Sequence, residues 1–253
     1  MNNTPRIGHR ERKREVEISL VRSYFSPGMR VLEFGAGSGW QAKLLGQFGC
    51  RVEAIDVTGT AERYAPVLIY DGRTIPYPDG SFDAVFSSNT LEHVTDLDKS
   101  LGEIRRVLRP SGLAVFILPS AAWRFWTSIT AYPYLLKRLM RILHVLQDEG
   151  GLQARESSVE QPRYSTTTRL LRAIASPFLP HGEQMSAFHE LYYYRRGPWI
   201  REFRRNGFEV TRVFASHLFY TGAELLPGLT YRFRRMLALF LGSATNVYIL
   251  GRP

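Results

Sequence analysis

The chain has 253 residues, of which 44% are hydrophobic and 22% charged, and it carries a formal net charge of +10. This length and apolar content suffice for one large α/β domain with a buried core, and they exclude intrinsic disorder. The single cysteine excludes a disulfide framework and a cysteine-rich metal site, and it is typical of a reducing compartment.

No apolar run reaches the roughly 18 residues that a membrane-spanning helix needs. The first 15 residues lack the apolar segment of a secretion signal. We therefore expect a cytoplasmic protein that is either soluble or held peripherally at the inner membrane surface.

The positive charge is concentrated at the periphery of the chain. Residues 31–119 contain 8 basic and 11 acidic residues, whereas the remainder has a net charge of +13. A basic periphery of this kind fits an anionic lipid surface, an acidic substrate, nucleic acid or an ordinary solvated surface.

Short apolar strands alternate with helices through the first half of the chain. The pattern predicts an amphipathic helix at 10–25, strands at 30–34, 51–56, 67–71, 83–88 and 113–118, and intervening helices at 40–49 and 96–110. Strands that are apolar throughout are typical of parallel strands covered on both faces. The pattern therefore predicts a doubly wound, mostly parallel α/β sheet.

This alternation stops between residues 120 and 196, where aromatic and basic residues are frequent. The pattern then predicts a helix, a turn and a strand within 198–219, a helix at 231–242 and a strand at 246–252. We therefore divide the chain into an N-terminal helix (1–29), a ligand-binding domain (30–120 and 197–253) and an inserted helical cap (121–196).

A glycine-rich turn follows the first strand in the sequence VLEFGAGSGW at 31–40. Gly35, Gly37 and Gly39 let the backbone approach a ligand closely, and the helix that follows offers free N–H groups. The spacing G-x-G-x-G differs from the G-x-G-x-x-G of dinucleotide sites. It therefore argues against a dinucleotide pyrophosphate.

Polar side chains stand at successive strands beside this turn. Glu33 lies in the first strand, Asp56 and Asp71 close the second and third, and residues 87–89 end the fourth. Because the carboxyl ends of parallel strands meet at one edge of a sheet, these side chains converge on one ligand region. A helix cap or a solvated turn explains any one of the acids equally well, but it explains the whole set poorly.

These segments resemble the class I S-adenosylmethionine-dependent methyltransferases, of the methyltransferase-11-like group related to ubiquinone-biosynthesis methyltransferases. The matching sequences are VLEFGAGSG, EAIDV, IPYPDGSFDAVFSSNTLEHVTD and EIRRVLRPSGLAVFILPS, which cover 30–120 almost without gaps. The closing GFEV and NVYILGR fit the last strand pair. The resemblance implies a seven-stranded Rossmann-like sheet, methyltransferase activity and S-adenosyl-L-methionine as cofactor.

The resemblance also implies roles for individual residues. The turn formed by Gly35, Gly37 and Gly39 would follow the methionine and ribose parts of the cofactor. Asp56 would bind the ribose hydroxyls, and Glu33 would order the loop and the cofactor amine.

The other end of the cofactor would meet residues that follow the third and fourth strands. By the same resemblance, Asp71, with Gly72 beside it, would lie near the adenine amino group. Ser88 and Asn89 would lie by the methionine end. Trp40 stands where relatives often have a small or charged residue, and it either shapes the cofactor pocket or packs in the core.

The implied reaction is a direct displacement of the sulfonium methyl group, in which the protein mainly aligns the reactants. A hydroxyl acceptor benefits from a general base, most often histidine. The candidates are His93 in LEHV, and His181 and His189 in PHGEQMSAFHELYYY. Each of them is also explained as a structural or surface histidine. No spacing of histidine, cysteine and acidic residues predicts a metal site.

The predicted insert contains a second informative pattern, a basic amphipathic helix. From residue 134 onward the pattern predicts a helix with leucines on one side and Lys137, Arg138 and Arg141 on the other, preceded by Trp123 and Trp126. A basic amphipathic helix beside tryptophans is typical of an interfacial membrane element. A lid helix over the cofactor domain explains the pattern equally well.

The sequence thus predicts methyl transfer to a small-molecule, saccharide or lipid-linked acceptor, with oxygen as the favoured atom. Two alternatives stay open: a non-catalytic, membrane-associated accessory protein with the same fold, and a nucleic-acid methyltransferase. Nucleic acid is the less favoured partner, because the arginines lie on predicted amphipathic helices and no recognised binding module is present.

Overall fold

The computed structural model describes residues 9–61, 63–148, 181, 186–221 and 229–253. The helices of these parts are α1 (His9–Leu20), α2 (Trp40–Gln47), α3 (Leu97–Val107), α4 (Ala121–Asp148), α5 (Ala187–Tyr193), α6 (Arg196–Arg205) and α7 (Tyr231–Leu241). The strands are β1 (Arg30–Phe34), β2 (Arg51–Asp56), β3 (Leu68–Ile69), β4 (Phe82–Ser88), β5 (Leu108–Pro119), β6 (Glu209–Ala215) and β7 (Thr245–Gly251).

The seven strands form one open sheet in the order β3-β2-β1-β4-β5-β7-β6. All neighbouring pairs are parallel except those of β7, which runs antiparallel to both β5 and β6. The predicted doubly wound, seven-stranded, mostly parallel fold is therefore confirmed. The chain winds outward from β1 to β3 and then returns to β4 on the other side of β1. This reversal creates a switch point where ligands bind in open α/β sheets.

Both faces of the sheet are buried, which explains why its strands are apolar throughout. Along β4 and β5, Val85 and Phe116 join one core cluster, while Phe86 and Val115 join the cluster on the opposite face. Side chains alternate between faces along a strand, so two covered faces require an uninterrupted apolar run.

The N-terminal helix is fixed to the second of these clusters. Ile18 and Phe25 are buried there, and the Phe25 ring packs edge-on against Phe86 with a centroid separation of 5.9 Å. The helix ends at Leu20 and a single 3₁₀ turn, Arg22–Tyr24, follows, so it is shorter than the predicted 10–25. This docking carries the polar side of α1 to the carboxyl edge of the sheet.

Two elements differ from the sequence prediction. The predicted strand at 67–71 is reduced to the two exposed residues of β3, because an edge strand has only one neighbour to pair with. The helix predicted from residue 134 begins at Ala121 and contains Pro133 in its interior. A proline ordinarily interrupts a helix, so the part of α4 before Pro133 is not evident from the sequence pattern.

The limits of the predicted insert, 121–196, stay a prediction. Residues 149–180 and 182–185 lie outside the described parts of the chain. The side chains of Lys137, Arg138 and Arg141, which carry the basic side predicted for this helix, also lie outside them.

Candidate active site

A cavity of about 960 Å³ opens at the carboxyl edge of the sheet, beside the switch point between β1 and β4. Its volume lies within the range of small-molecule sites. The residues that follow β1, β2, β3 and β4 form its wall. The predicted site residues that line it are Gly35, Gly37, Asp56, Asp71, Gly72, Ser88, Asn89 and His93.

The three glycines of the turn have different structural roles. All three have positive φ angles, of 76°, 54° and 72° for Gly35, Gly37 and Gly39. A Cβ on Gly35 would lie 2.1 Å from Thr90 Cγ2, whereas one on Gly37 would meet nothing within 4 Å. The backbone at Gly37 thus faces open space that a ligand can occupy. Gly39 is not among the cavity-lining residues, and it begins α2 instead.

Asp56 holds the glycine turn in place. Gly37 N–H donates to Asp56 Oδ2 at 2.7 Å, and Thr58 N–H donates to Asp56 Oδ1 at 3.1 Å. A carboxylate has about four acceptor positions, so lone pairs stay available for hydroxyl donors in the cavity.

Trp40 lines the same wall and packs edge-on against Tyr64 at 4.6 Å. Trp40 therefore both lines the cavity and packs against a neighbouring aromatic ring.

Asp71 organises the turn after β3. Its Oδ1 accepts hydrogen bonds from the Arg73 and Thr74 N–H groups at 2.8 and 3.0 Å. These backbone hydrogen bonds hold the pKa of Asp71 below its usual value. The adjacent Gly72 has a φ of 72°. Asp71 is thus an ionised acceptor at the cavity wall.

Glu33 lies beneath the cavity and not in its wall. It is buried, and its Oε2 has no hydrogen-bond partner among the residues that the structure describes. Burial raises its pKa to about 8, although the nearby Arg14 partly opposes this shift. The structure therefore places Glu33 behind the turn, where burial favours the protonated form of its carboxyl group.

Arg14 is a cavity residue that sequence reasoning missed. Its Nη1 donates to Ser88 Oγ at 2.6 Å and to Ser88 O at 3.1 Å, and it also pairs with Glu17 at 3.4 Å. Asn89 adds a further hydrogen bond from Nδ2 to Ser88 Oγ at 3.0 Å. The basic residues at the start of α1 were visible in the sequence. Their contact with β4 requires the docking of α1, which local patterns do not show.

Two of the three candidate histidines come together. The His93 and His181 rings lie 5.0 Å apart, and the Trp123 ring lies 4.6 Å from His181. Desolvation, and then the neighbouring His93, lowers the pKa of His181. The neutral imidazole that this favours can accept a proton. His189 instead packs against the Tyr193 ring, with a centroid separation of 4.6 Å, and is not among the cavity-lining residues.

A buried ion pair holds the His181 segment. Arg124 Nε lies 2.5 Å from Glu190 Oε2, and both side chains are buried. The His181 N–H donates to Glu190 Oε1 at 2.5 Å, and Tyr194 OH donates to the same oxygen at 3.4 Å. The sequence singled out the stretch around Glu190, but its partner Arg124 lies in α4, 66 residues away in the chain. Among the described residues, no cluster of histidine, cysteine and acidic side chains could hold a metal ion.

This fold and this cavity support a class I S-adenosylmethionine-dependent methyltransferase. The methyltransferase-domain family matches residues 32–116. The cavity also fits the cofactor, because it combines an open backbone approach at Gly37 with the carboxylates of Asp56 and Asp71. The expected cofactor is therefore S-adenosyl-L-methionine.

Curated relatives cover several acceptor chemistries. The chain is 28% identical over 179 residues to the ubiquinone/menaquinone biosynthesis C-methyltransferase UbiE of Bordetella avium, covering 62% of this chain and 67% of that protein. It is 25% identical over 167 residues to phosphoethanolamine N-methyltransferase 2 of Caenorhabditis elegans, covering 58% of this chain and 38% of that protein. The matched part thus spans well under half of the second relative's length.

Solved structures support the fold alone. An S-adenosylmethionine-dependent methyltransferase from Aquifex aeolicus superposes with a TM-score of 0.51 at 15% identity, covering 94% of this chain and 90% of that one. The [4+2]-cyclase SpnF superposes with a TM-score of 0.52 at 14% identity, covering 100% and 85%. Because the second protein is named as a cyclase, the fold does not by itself specify the reaction.

Proposed function

We propose that the protein transfers a methyl group from S-adenosylmethionine to a small-molecule acceptor bound at the His93 side of the cavity. The observation that carries this proposal is the single cavity that joins the Gly37 turn and Asp56 to His93. The family assignment supports the donor, and the size of the cavity supports an acceptor of small-molecule dimensions.

The donor side has the groups that the cofactor requires. When bound, S-adenosylmethionine supplies an already activated methyl group, so the protein needs to bind and orient more than to activate. Asp56 would accept the ribose hydroxyls with the lone pairs that the turn leaves free. Asp71 would lie near the adenine amino group, and Ser88 and Asn89 near the methionine end.

The acceptor side favours methylation at oxygen. A hydroxyl must lose a proton as it attacks, and His93 is the histidine that lines the cavity. His181 lies against His93, and its lowered pKa keeps it available as a proton acceptor. We therefore propose His93 as the base and His181 as its neighbour, with a saccharide or a lipid-linked hydroxyl compound as the acceptor.

The first test measures cofactor binding by titration calorimetry. The Asp56→Ala variant should bind S-adenosylmethionine about 10- to 100-fold more weakly than the wild type, the range expected for losing charge-assisted hydrogen bonds. Asp79→Ala, which removes an exposed carboxylate that does not line the cavity, serves as the matched control and should bind normally. Absence of binding by the wild type at millimolar cofactor would refute the enzyme assignment.

The second measurement identifies the acceptor. A cell extract incubated with the protein and isotopically labelled cofactor should yield a labelled small molecule, and His93→Asn should lower the rate of labelling. Label in the nucleic-acid fraction would favour a nucleic-acid methyltransferase. Cofactor binding without labelled product would favour an accessory protein.

A further inference from the structure

One side of α4 exposes a continuous apolar stripe. Five large side chains recur at helical spacing along it, and each is exposed: Phe125, Ile129, Tyr132, Leu136 and Met140. Residues spaced by four, three, four and four positions fall on one face of an α-helix. Leu136 and Met140 are 60% and 61% exposed. Core-facing positions of a globular helix are not exposed to this degree, so the stripe faces away from the sheet.

A second apolar face lies on α7. Its exposed large side chains are Phe233, Met236, Leu239 and Phe240, and the last two are 70% and 82% exposed. The opposite side of the same helix is buried through Arg234 and Ala238. The helix therefore has its polar anchor inward and its apolar side outward, the reverse of an ordinary surface helix.

The two helices meet at their ends. Trp126 Nε1 of α4 donates to the Leu241 carbonyl oxygen of α7 at 2.8 Å. A Cβ on Gly242, which directly follows α7, would lie 2.7 Å from Ala122 Cβ. We name the combined exposed faces of α4 and α7 the two-helix surface. An exposed apolar area built from nine large side chains is unusual in a protein that acts only in water.

The charge of both helices points to an anionic partner. Besides the buried Arg124, the sequence of α4 contains three basic residues and a single acid, Asp148, at its last position. The sequence of α7 contains three arginines and no acid. Among these, Arg232 and Arg235 are exposed on the side that carries Leu239 and Phe240. Apolar side chains bordered by exposed arginines are complementary to an anionic lipid headgroup layer.

We propose that the two-helix surface lies on an anionic lipid bilayer, with its apolar side chains in the headgroup region and Arg232 and Arg235 on lipid phosphates. Among the described residues, no helix is long and apolar enough to cross a membrane. Helix α4 begins two residues after β5, at the edge of the sheet where the cavity opens. Binding of the two-helix surface to a bilayer would therefore bring the cavity close to the lipid. The proposal does not depend on methyl transfer, since bilayer binding is measured without cofactor.

The test is co-sedimentation of the full chain with vesicles of phosphatidylcholine, with and without about 30% phosphatidylserine. Leu239→Ser/Phe240→Ser should weaken binding to the anionic vesicles by at least about tenfold, because two exposed apolar anchors are lost. The matched control is Leu68→Ser/Ile69→Ser, which removes two exposed apolar residues from β3 at the opposite edge of the sheet. All variants should retain the wild-type melting temperature.

The proposed role of the arginines is tested by two double variants that reverse the same number of charges at different places. Arg232→Glu/Arg235→Glu should weaken binding about tenfold or more, whereas Arg204→Glu/Arg212→Glu changes the net charge equally at exposed positions elsewhere and should bind like the wild type. Failure of the wild type to bind anionic vesicles would overturn the proposal. So would equal losses in the controls, or an α7 variant that converts a dimer to a monomer without affecting vesicle binding, since a second copy of the chain would then be the partner.

Discussion

The donor side and the cap side of the cavity are built by different means. The donor side is built by backbone geometry. Its glycines have positive φ angles, and the Asp56 carboxylate accepts a hydrogen bond from Gly37, only 19 residues away in the chain. The cap side uses buried charges from distant segments, such as the pair between Arg124 and Glu190. The proposed donor site is thus held by local structure, and the region proposed for the acceptor by long-range electrostatics. Mutation and pH should therefore affect the two sides differently.

The largest expected effect is on the cap side. Arg124→Met would leave the Glu190 carboxylate buried beside Tyr194 and without its cation, which costs about 3–5 kcal/mol of unfolding free energy. Replacing both members, as Arg124→Met/Glu190→Leu, should recover much of this loss, because no uncompensated charge remains. Urea denaturation measures both values.

Cofactor affinity is the readout that separates the two sides in these variants. Titration calorimetry below the denaturation threshold should give an affinity within about twofold of the wild type, because Arg124 does not line the cavity. A loss below about 1 kcal/mol in Arg124→Met would show that the buried pair does not hold the cap as described.

The next effect compares two glycines on the donor side. Gly35→Ala should cost about 2–4 kcal/mol of unfolding free energy, since it combines a left-handed backbone with a clash against Thr90. Gly37→Ala should cost only about 1 kcal/mol, because its backbone is strained but the new methyl group meets open space. Thermal or urea unfolding distinguishes them. The added substitution Thr90→Ala should restore part of the stability of the Gly35 variant and none in the Gly37 variant.

The donor side could be predicted from sequence because its determinants are local. The glycine turn follows the first strand, and Asp56 and Asp71 stand at the ends of the next two. Because parallel strands end at one edge of the sheet, these residues come together there. The same reasoning could not distinguish Gly37, which faces the cavity, from Gly39, which begins α2. That distinction depends on the neighbours of each Cβ, which only the folded chain brings together.

The long-range contacts around the cavity could not be predicted to the same extent. Arg14 reaches Ser88 across 74 residues, and Glu190 finds its cation in α4. No periodicity encodes such contacts. His181 and His189 stood in the same short segment and were equally good candidates, but only His181 lies against His93. The orientation of a side chain within a segment follows from what packs on it, and here that is Trp123.

The smallest effect concerns pH, and it acts through Glu92, a buried carboxyl group in the turn Leu91–His93. Burial raises the pKa of Glu92 to about 8, with Arg14 and Lys13 of α1 opposing the shift and Glu17 adding to it. Between its ordinary value and about 8, the folded state binds a proton that the unfolded state has released. The unfolding free energy therefore falls as pH rises through this interval.

Glu92→Gln removes this titration while keeping the shape of the side chain. We expect the unfolding free energy of the wild type to fall about 2 kcal/mol more than that of the variant between pH 6.5 and pH 8.5. Urea denaturation at several pH values measures the difference, and it cancels the separate contribution of Glu33, whose pKa is raised on the donor side. Parallel pH profiles for the two proteins would show that Glu92 ionises normally. The pH sensitivity of the site would then rest on Glu33 of the donor side, and the contrast between the two sides on Arg124 and Glu190.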